Sequence, residues 1–371
     1  MAEKSIKKRD SGIELLRIIS IMMVIGIHIF LYGNYYECAS NQGGFVKLCS
    51  GAMKLMFRPA VNIFILITGY FMVKMRFDLK KAYRRVLKIY LSVLFYSVVL
   101  SLITLAAGSK FYTIDGEVAE VKIIILKMIF PIISQNWYFI TDYILLCLLA
   151  PFVNIVLQNI KKKDYHVLLI VTSFIMSIWF LLSDIRVMDE VVRTYGFGDI
   201  QQGKNVFSFV YIYIIGGYIR LHTEKREKAN PTYLIGALVC LIFNGLLATK
   251  LDSVFELGEM VTFYTNPLVI LMAVCLVMYF KDLHFHSKII NALASTTLGV
   301  YAIHEFKYIR ELIWNMFDFR KIDCSNMFMN LVYIGSIIFM VFMVCAAIDL
   351  MRQEMFKMFE KKDSKTTNVM S

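Results

Sequence analysis

Residues 12–32 read Gly12-Ile-Glu14-Leu-Leu-Arg17-Ile-Ile-Ser-Ile-Met-Met-Val-Ile-Gly-Ile-His28-Ile-Phe-Leu-Tyr32, a 21-residue run whose only charged side chains, Glu14 and Arg17, sit in its first two turns. A helix needs about 20 mostly apolar residues to cross hydrocarbon, where every backbone polar group has to be satisfied inside the segment. This run meets that requirement. Nine more segments do so along the chain, at 52–73, 89–107, 136–158, 165–182, 206–219, 231–249, 260–280, 289–303 and 327–350, of which the sixth and ninth spans are short. The composition agrees: 58% of the 371 residues are hydrophobic, 18% are charged and the mean hydropathy is +0.62. A soluble domain has roughly 45–50% apolar and about 25% charged residues. Five prolines, 19 glycines and no long polar tract before the last dozen residues exclude a disordered or linker-rich chain. The sequence therefore predicts an all-α polytopic membrane protein of about ten helices, with a segment 1–11, a transmembrane domain 12–350 and a basic tail 351–371.

The excess of 40 Lys and Arg over 28 Asp and Glu gives a net charge of +12, which in a soluble protein would point to nucleic acid. Here orientation accounts for it. With the N-terminus placed in the cytoplasm and the spans alternating, 25 of the 40 cations fall in the inner segments, while the acids divide 10 inside and 15 outside. An even number of spans returns the C-terminus to the cytoplasm, where its basic tail belongs. The expected partner is the bilayer of the cell membrane, not nucleic acid. The first apolar run is as long as a span and no small-residue cleavage site follows it, so it reads as an uncleaved helix. Cys147, Cys240, Cys275 and Cys345 lie within spans as small hydrophobes. Cys38 and Cys49 share the first outer loop, and Cys324 lies in the last, so a Cys38–Cys49 disulfide is an open expectation. His284-Phe-His286 reads as part of a short solvated loop, and no metal site is expected there.

Charged and imidazole groups at membrane depth cost about 2.5–3.5 kcal/mol each to insert, so each is a functional candidate. Arg17 and His28 are eleven residues apart. At about 100° and 1.5 Å per residue they share one face, roughly 16 Å apart along the axis, and Glu14 joins that face one turn before Arg17. His28 is the deeper of the two. Arg17 is equally explained by a side chain reaching back to the cytoplasmic interface. Asp142, early in the fourth span, and Arg58, before Pro59, sit near the outer interface. Trp137 and Tyr138 read as interfacial anchors before they read as site residues. His304-Glu305 closes the ninth span and either lines an outward-facing pocket or ends a helix in water. The stretch Lys74-Met-Arg76-Phe-Asp-Leu-Lys80-Lys81-Ala-Tyr-Arg84-Arg85-Val-Leu-Lys88 holds seven cations and one acid. That exceeds what orientation requires and suits a polyphosphate or anionic headgroups.

Taken together, these residues resemble the integral-membrane acyltransferase family 3, whose members include bacterial O-acetyltransferases of surface polysaccharides. The resemblance covers nearly the whole chain. It is carried by Arg17 and His28 at the family's spacing, and by Phe64-Ile-Leu-Ile-Thr68-Gly69-Tyr70 in place of Phe-x-x-x-Ser-Gly-Phe. Trp137-Tyr-Phe, Gly216-Gly-Tyr-Ile-Arg220 and Thr297-Leu-Gly-Val-Tyr301-Ala-Ile-His304 are also similar to its pattern. The chain departs from it at Arg85-Val-Leu-Lys88, where the family has Arg-x-x-Arg, so a bidentate fork is replaced by a point charge. About twenty residues follow the last span, which resembles the stand-alone type without a fused hydrolase-like domain.

The resemblance implies a membrane O-acyltransferase. Acetyl-CoA or another cytoplasmic acyl-CoA would be the donor, and a hydroxyl of a surface polysaccharide, lipid-linked glycan or other envelope carbohydrate the acceptor. It also implies His28 and Arg17 as catalytic residues and Arg84, Arg85 and Lys88 as ligands of the CoA phosphates, with Glu14, Trp137, Asp142, His304 and Glu305 in support and no metal. An imidazole suits the task, because it can take a proton from an attacking hydroxyl near neutral pH. Direct transfer and an acyl-histidine intermediate both remain open. The rival class is a proton-coupled transporter or amino-acid permease, which buried Arg, His and Glu would also serve. No internal repeat and no matched interruptions in the two halves favour it.

Overall fold

The computed structural model describes residues 10–107, 113–114, 117–118, 121–134, 136–183, 202–251, 260–321 and 323–369. The N-terminal cations Lys4, Lys7, Lys8 and Arg9 lie outside them. The order is α1 (Gly12–Tyr32), α2 (Tyr35–Gln42), α3 (Gly44–Phe57), α4 (Ala60–Met72), α5 (Leu79–Ala106), a minimal antiparallel pair β1 (Thr113–Ile114) and β2 (Glu117–Val118), α6 (Val121–Ile129) and α7 (Tyr138–Asn159). Next come α8 (Lys162–Ser173), a π-helical turn (Phe174–Ile178), α9 (Trp179–Ser183), α10 (Val206–His222) and α11 (Thr232–Leu246). The chain ends with α12 (Pro267–Phe280), α13 (Lys288–Ala294), α14 (Thr297–His304), α15 (Lys307–Met316) and α16 (Met327–Val369). Among the described residues, seven helices or helix pairs are long and apolar enough to cross a membrane, and α10 and α12 are shorter apolar helices.

Two of the spans read from hydropathy are broken helices. The segment 52–73 is α3 and α4, interrupted at Arg58-Pro59, where proline has no N–H to continue the ladder. The segment 289–303 is α13 and α14, interrupted at Ser295-Thr296. Both hydroxyls there bond back to carbonyls three residues earlier, Ser295 to Ala292 at 2.7 Å and Thr296 to Leu293 at 2.7 Å, and the backbone tightens with them.

Helix α1 is apolar almost all round and occupies the centre, with 15 of its 21 residues buried against α3, α4, α12, α13, α14 and α16. By contrast α8 buries only Tyr165 and α11 only Ala237 and Asn244, so their apolar side chains face the surroundings, as lipid-facing helices do. The most extensive helix contact is that of α4 with α10. A Cβ on Gly69 would land on the Tyr213 carbonyl and one on Gly216 on the Leu66 carbonyl, so both glycines are needed for the backbones to meet. Helix α7 then satisfies the end of α4: Asn154 donates to the Met72 carbonyl at 2.8 Å, and Gln158 to those of Val73 and Met75.

The disulfide joins Cys38 to Cys324, whose Cα atoms are 6.2 Å apart, which corrects the Cys38–Cys49 expectation. Gly43, at φ +67°, turns the chain between α2 and α3 and leaves Cys49 on the second helix with a free thiol. The segment before α16 instead folds over α2, with Tyr35 and Phe319 edge to face at 4.9 Å and Asn34 bonded to Asp318.

Candidate active site

His28, near the end of α1, meets the end of α14. His28 is 7% exposed, and His304 is fully buried with Nε2 lying 3.1 Å from His28 Nδ1. The other nitrogen of His304, Nδ1, lies 2.5 Å from the Val300 carbonyl, which can only accept. In a neutral ring Nδ1 therefore carries the proton and Nε2 is the acceptor. It follows that His28 Nδ1–H donates to His304, and that the lone pair of His28 is on Nε2. Glu305 caps α14 and places Oε2 3.2 Å from the same His28 Nδ1. Its other oxygen takes a 2.8 Å bond from Arg310 of α15, whose guanidinium also lies 4.2 Å from the Tyr32 ring centre. The position of α14 is held from the side by Trp137, which donates its indole N–H to the Ala302 carbonyl at 3.1 Å and packs on Phe306.

His28 lines a cavity of about 300 Å³ whose wall is mainly aliphatic and aromatic. Besides His28 and Arg17, its polar wall residues are Thr68, Ser295, Thr297, Tyr138, Tyr143, Tyr264 and Tyr301. The buried Tyr301 hydroxyl has no hydrogen-bond partner among the described residues. Arg17 lines the same cavity and also a second one of about 480 Å³, at the other end of α1. The two spaces thus share Arg17 as a wall residue. Arg17 is held there by Glu14, which is 2% exposed and receives Nη1 at 3.2 Å from both carboxylate oxygens.

Against known families, the acyltransferase domain model matches residues 10–350, which takes in both cavities and every helix that lines them. The chain is a member of acyltransferase family 3. No curated protein and no solved structure matches it. As an acyltransferase of this family it is an enzyme and a multi-pass membrane protein.

Within the family 3 chain, the structure assembles some of the expected residues and separates others. Arg17 and His28 share a face of α1 and a cavity, with Glu14 beside Arg17; His304 and Glu305 join His28 from 276 and 277 residues away. Trp137 is a strut for α14 and does not line either cavity. Asp142 is not among the lining residues either. Asp78 caps α5 through the Lys81 N–H, and the basic stretch forms its first turns: Arg84 and Lys88 are exposed and Arg85 half-buried, outside both cavities. His284 is engaged at both ring nitrogens, with Asp10 at 2.7 Å and the Arg226 carbonyl at 3.0 Å, and it pins the start of α1.

Among the described residues, the one group of His, Cys and acidic side chains close enough to hold a metal is His28, His304 and Glu305, with ligand atoms within 4.8 Å of one another. A cation there would have to displace the His28 Nδ1 proton that the His304 bond uses. Sequence reasoning missed Arg310 and Tyr301. Arg310 lies in an amphipathic helix between two apolar segments, and Tyr301 belongs to the Thr297–His304 segment that carries the family resemblance, without a role that the sequence assigns to it.

Proposed function

We propose that this acyltransferase transfers an acyl group, acetyl foremost, from cytoplasmic acyl-CoA to a hydroxyl of a surface polysaccharide, lipid-linked glycan or other envelope carbohydrate. The observation that supports this most is the pairing of His28 Nε2, whose lone pair is left free by the tautomer chain, with a cavity that shares Arg17 with a cation-lined space. The termini and the Lys74–Lys88 loop then face the cytoplasm, in the plasma or inner membrane.

In the direct route the acceptor hydroxyl attacks the thioester carbonyl while His28 Nε2 takes its proton. The new C–O bond gives a tetrahedral oxyanion. The C–S bond then breaks, and the proton on His28 passes to the departing thiolate. We assign the oxyanion donor to the hydroxyl of Tyr301, a residue of the cavity wall. Glu305 offsets the charge that His28 acquires, and Arg310 fixes Glu305. An acyl-histidine route would use the same nitrogen as nucleophile.

Because His304 already sets the tautomer, Glu305→Gln should act through lost charge stabilisation alone. It is expected to lower kcat by about a hundredfold, with KM for acyl-CoA within about twofold of the native value. Steady-state kinetics that leave kcat unchanged would remove Glu305 from the chemistry. The reaction class itself is tested by incubating purified protein with acetyl-CoA and a glycan acceptor and titrating free thiol. Acceptor-dependent thiol release is expected; solute binding or uptake with the thioester intact would favour the transporter reading.

A further inference from the structure

The second cavity gathers cations from four places in the chain. Arg17 comes from α1, Arg220 from the last turn of α10, Lys225 from the following loop, and Lys281 from just after α12. Three of the four have a carboxylate partner: Arg17 pairs with Glu14, Lys225 with Asp10 and Lys281 with Asp282. Arg220 does not. Its Nη1 donates to the Tyr70 hydroxyl at 3.1 Å and its guanidinium lies 4.9 Å from the Tyr70 ring centre, with no carboxylate in ion-pair reach among the described residues. A partly buried guanidinium in a cleft, paired with no acid and steadied by an aromatic ring, is built to receive an anion.

We infer that this cavity, and not the Arg84–Lys88 stretch on the outside of α5, takes the diphosphate of the acyl donor, with Arg220 as its principal ligand and Lys225 at the rim. Arg17 would meet the near phosphate. From there an extended thioester arm runs along α1 to His28, over the roughly 16 Å that eleven helical residues span. The aliphatic and aromatic wall of the inner cavity suits such an arm. The inference rests on the acyl-CoA reading above. The same phosphate chemistry would also fit an anionic lipid headgroup.

The test is CoA and pantetheine binding to the full-length protein in neutral-lipid nanodiscs, repeated with anionic lipid. Arg220→Gln should weaken CoA binding about 10- to 100-fold, as loss of a charge-assisted bond to phosphate does, and leave pantetheine, which has no phosphate, unchanged. Arg220→Lys should recover part of the loss. Lys225→Gln, at a half-exposed rim position, should weaken CoA less and in a salt-dependent way. Wild-type protein that is folded and binds no CoA would overturn the acyl-CoA reading itself. Wild-type binding that is insensitive to Arg220→Gln and Lys225→Gln but lost in Arg85→Gln/Lys88→Gln would keep that reading and overturn the cavity assignment. Thermal stabilisation by anionic lipid that disappears in Arg220→Gln while CoA affinity stays constant would give the cavity to a headgroup and equally overturn it.

Discussion

His28→Ala is expected to abolish acyl transfer, by about 10²–10⁴-fold for loss of a general base and more if the ring is the nucleophile, while the protein inserts, folds and binds acyl-CoA. The ring cannot be replaced from its surroundings. His304 does not line the cavity, and its Nε2 lone pair, released by the substitution, would lie behind the position that the His28 ring held. Arg17→Lys should behave differently. It keeps the charge but loses the planar guanidinium, whose Nη1 alone donates to both Glu14 oxygens, so donor binding should suffer before the chemical step does. Turnover of purified His28→Ala within about tenfold of wild type is too small a loss for a base, and would move the chemistry elsewhere in the cavity.

Gly216→Val and Gly69→Val should be the most damaging substitutions outside the site. Each puts a side chain where a backbone carbonyl of the partner helix already is, and a backbone atom cannot step aside as a flexible side chain can. Overpacking of this kind costs roughly 1–3 kcal/mol and sometimes more, and two rigid helices place these sites at the upper end. The damage should also reach function, because α4 carries Thr68 and Tyr70 and α10 carries Arg220, so separating them deforms both cavities. Loss of monodisperse protein and a lowered melting temperature are the readouts. Gly51 and Gly245 are the controls: both are helical with open space where a Cβ would go, and alanine there should be neutral or stabilising by up to about 1 kcal/mol. Melting temperatures that do not separate the two pairs would mean that α4 and α10 do not cross as described.

Much of this architecture is legible in the sequence because hydropathy and charge are one-dimensional signals. The long apolar run of α1 reads directly as a buried helix, and the 3.6-residue period puts Arg17 and His28 on one face without reference to any other element. Breaks inside an apolar run are not legible in the same way. Hydropathy averages over Pro59 and over Ser295-Thr296, so α3–α4 and α13–α14 read as single spans. The partners of His28 are hidden for a different reason: His304 and Glu305 are 276 and 277 residues away, and only packing of α14 against α1 brings them together. The disulfide shows the same limit. Proximity in sequence favours Cys49, whereas the turn at Gly43 and the fold-over of the Phe319 segment deliver Cys324. The glycines of the Thr68-Gly69-Tyr70 and Gly216-Gly-Tyr segments acquire a physical reason only when the α4–α10 crossing is seen.

Transfer at His28 from a donor on one face to an acceptor on the other is measured in a sided assay. Protein is reconstituted in liposomes with its cytoplasmic face outward, acetyl-CoA is supplied outside and a glycan acceptor is trapped inside. O-acetylated glycan is expected in the lumen, with one free thiol released outside for each ester formed, and neither product with His28→Ala. Lumenal solute accumulation with the thioester intact, or equal ester formation by the His28→Ala protein, would contradict transfer at His28.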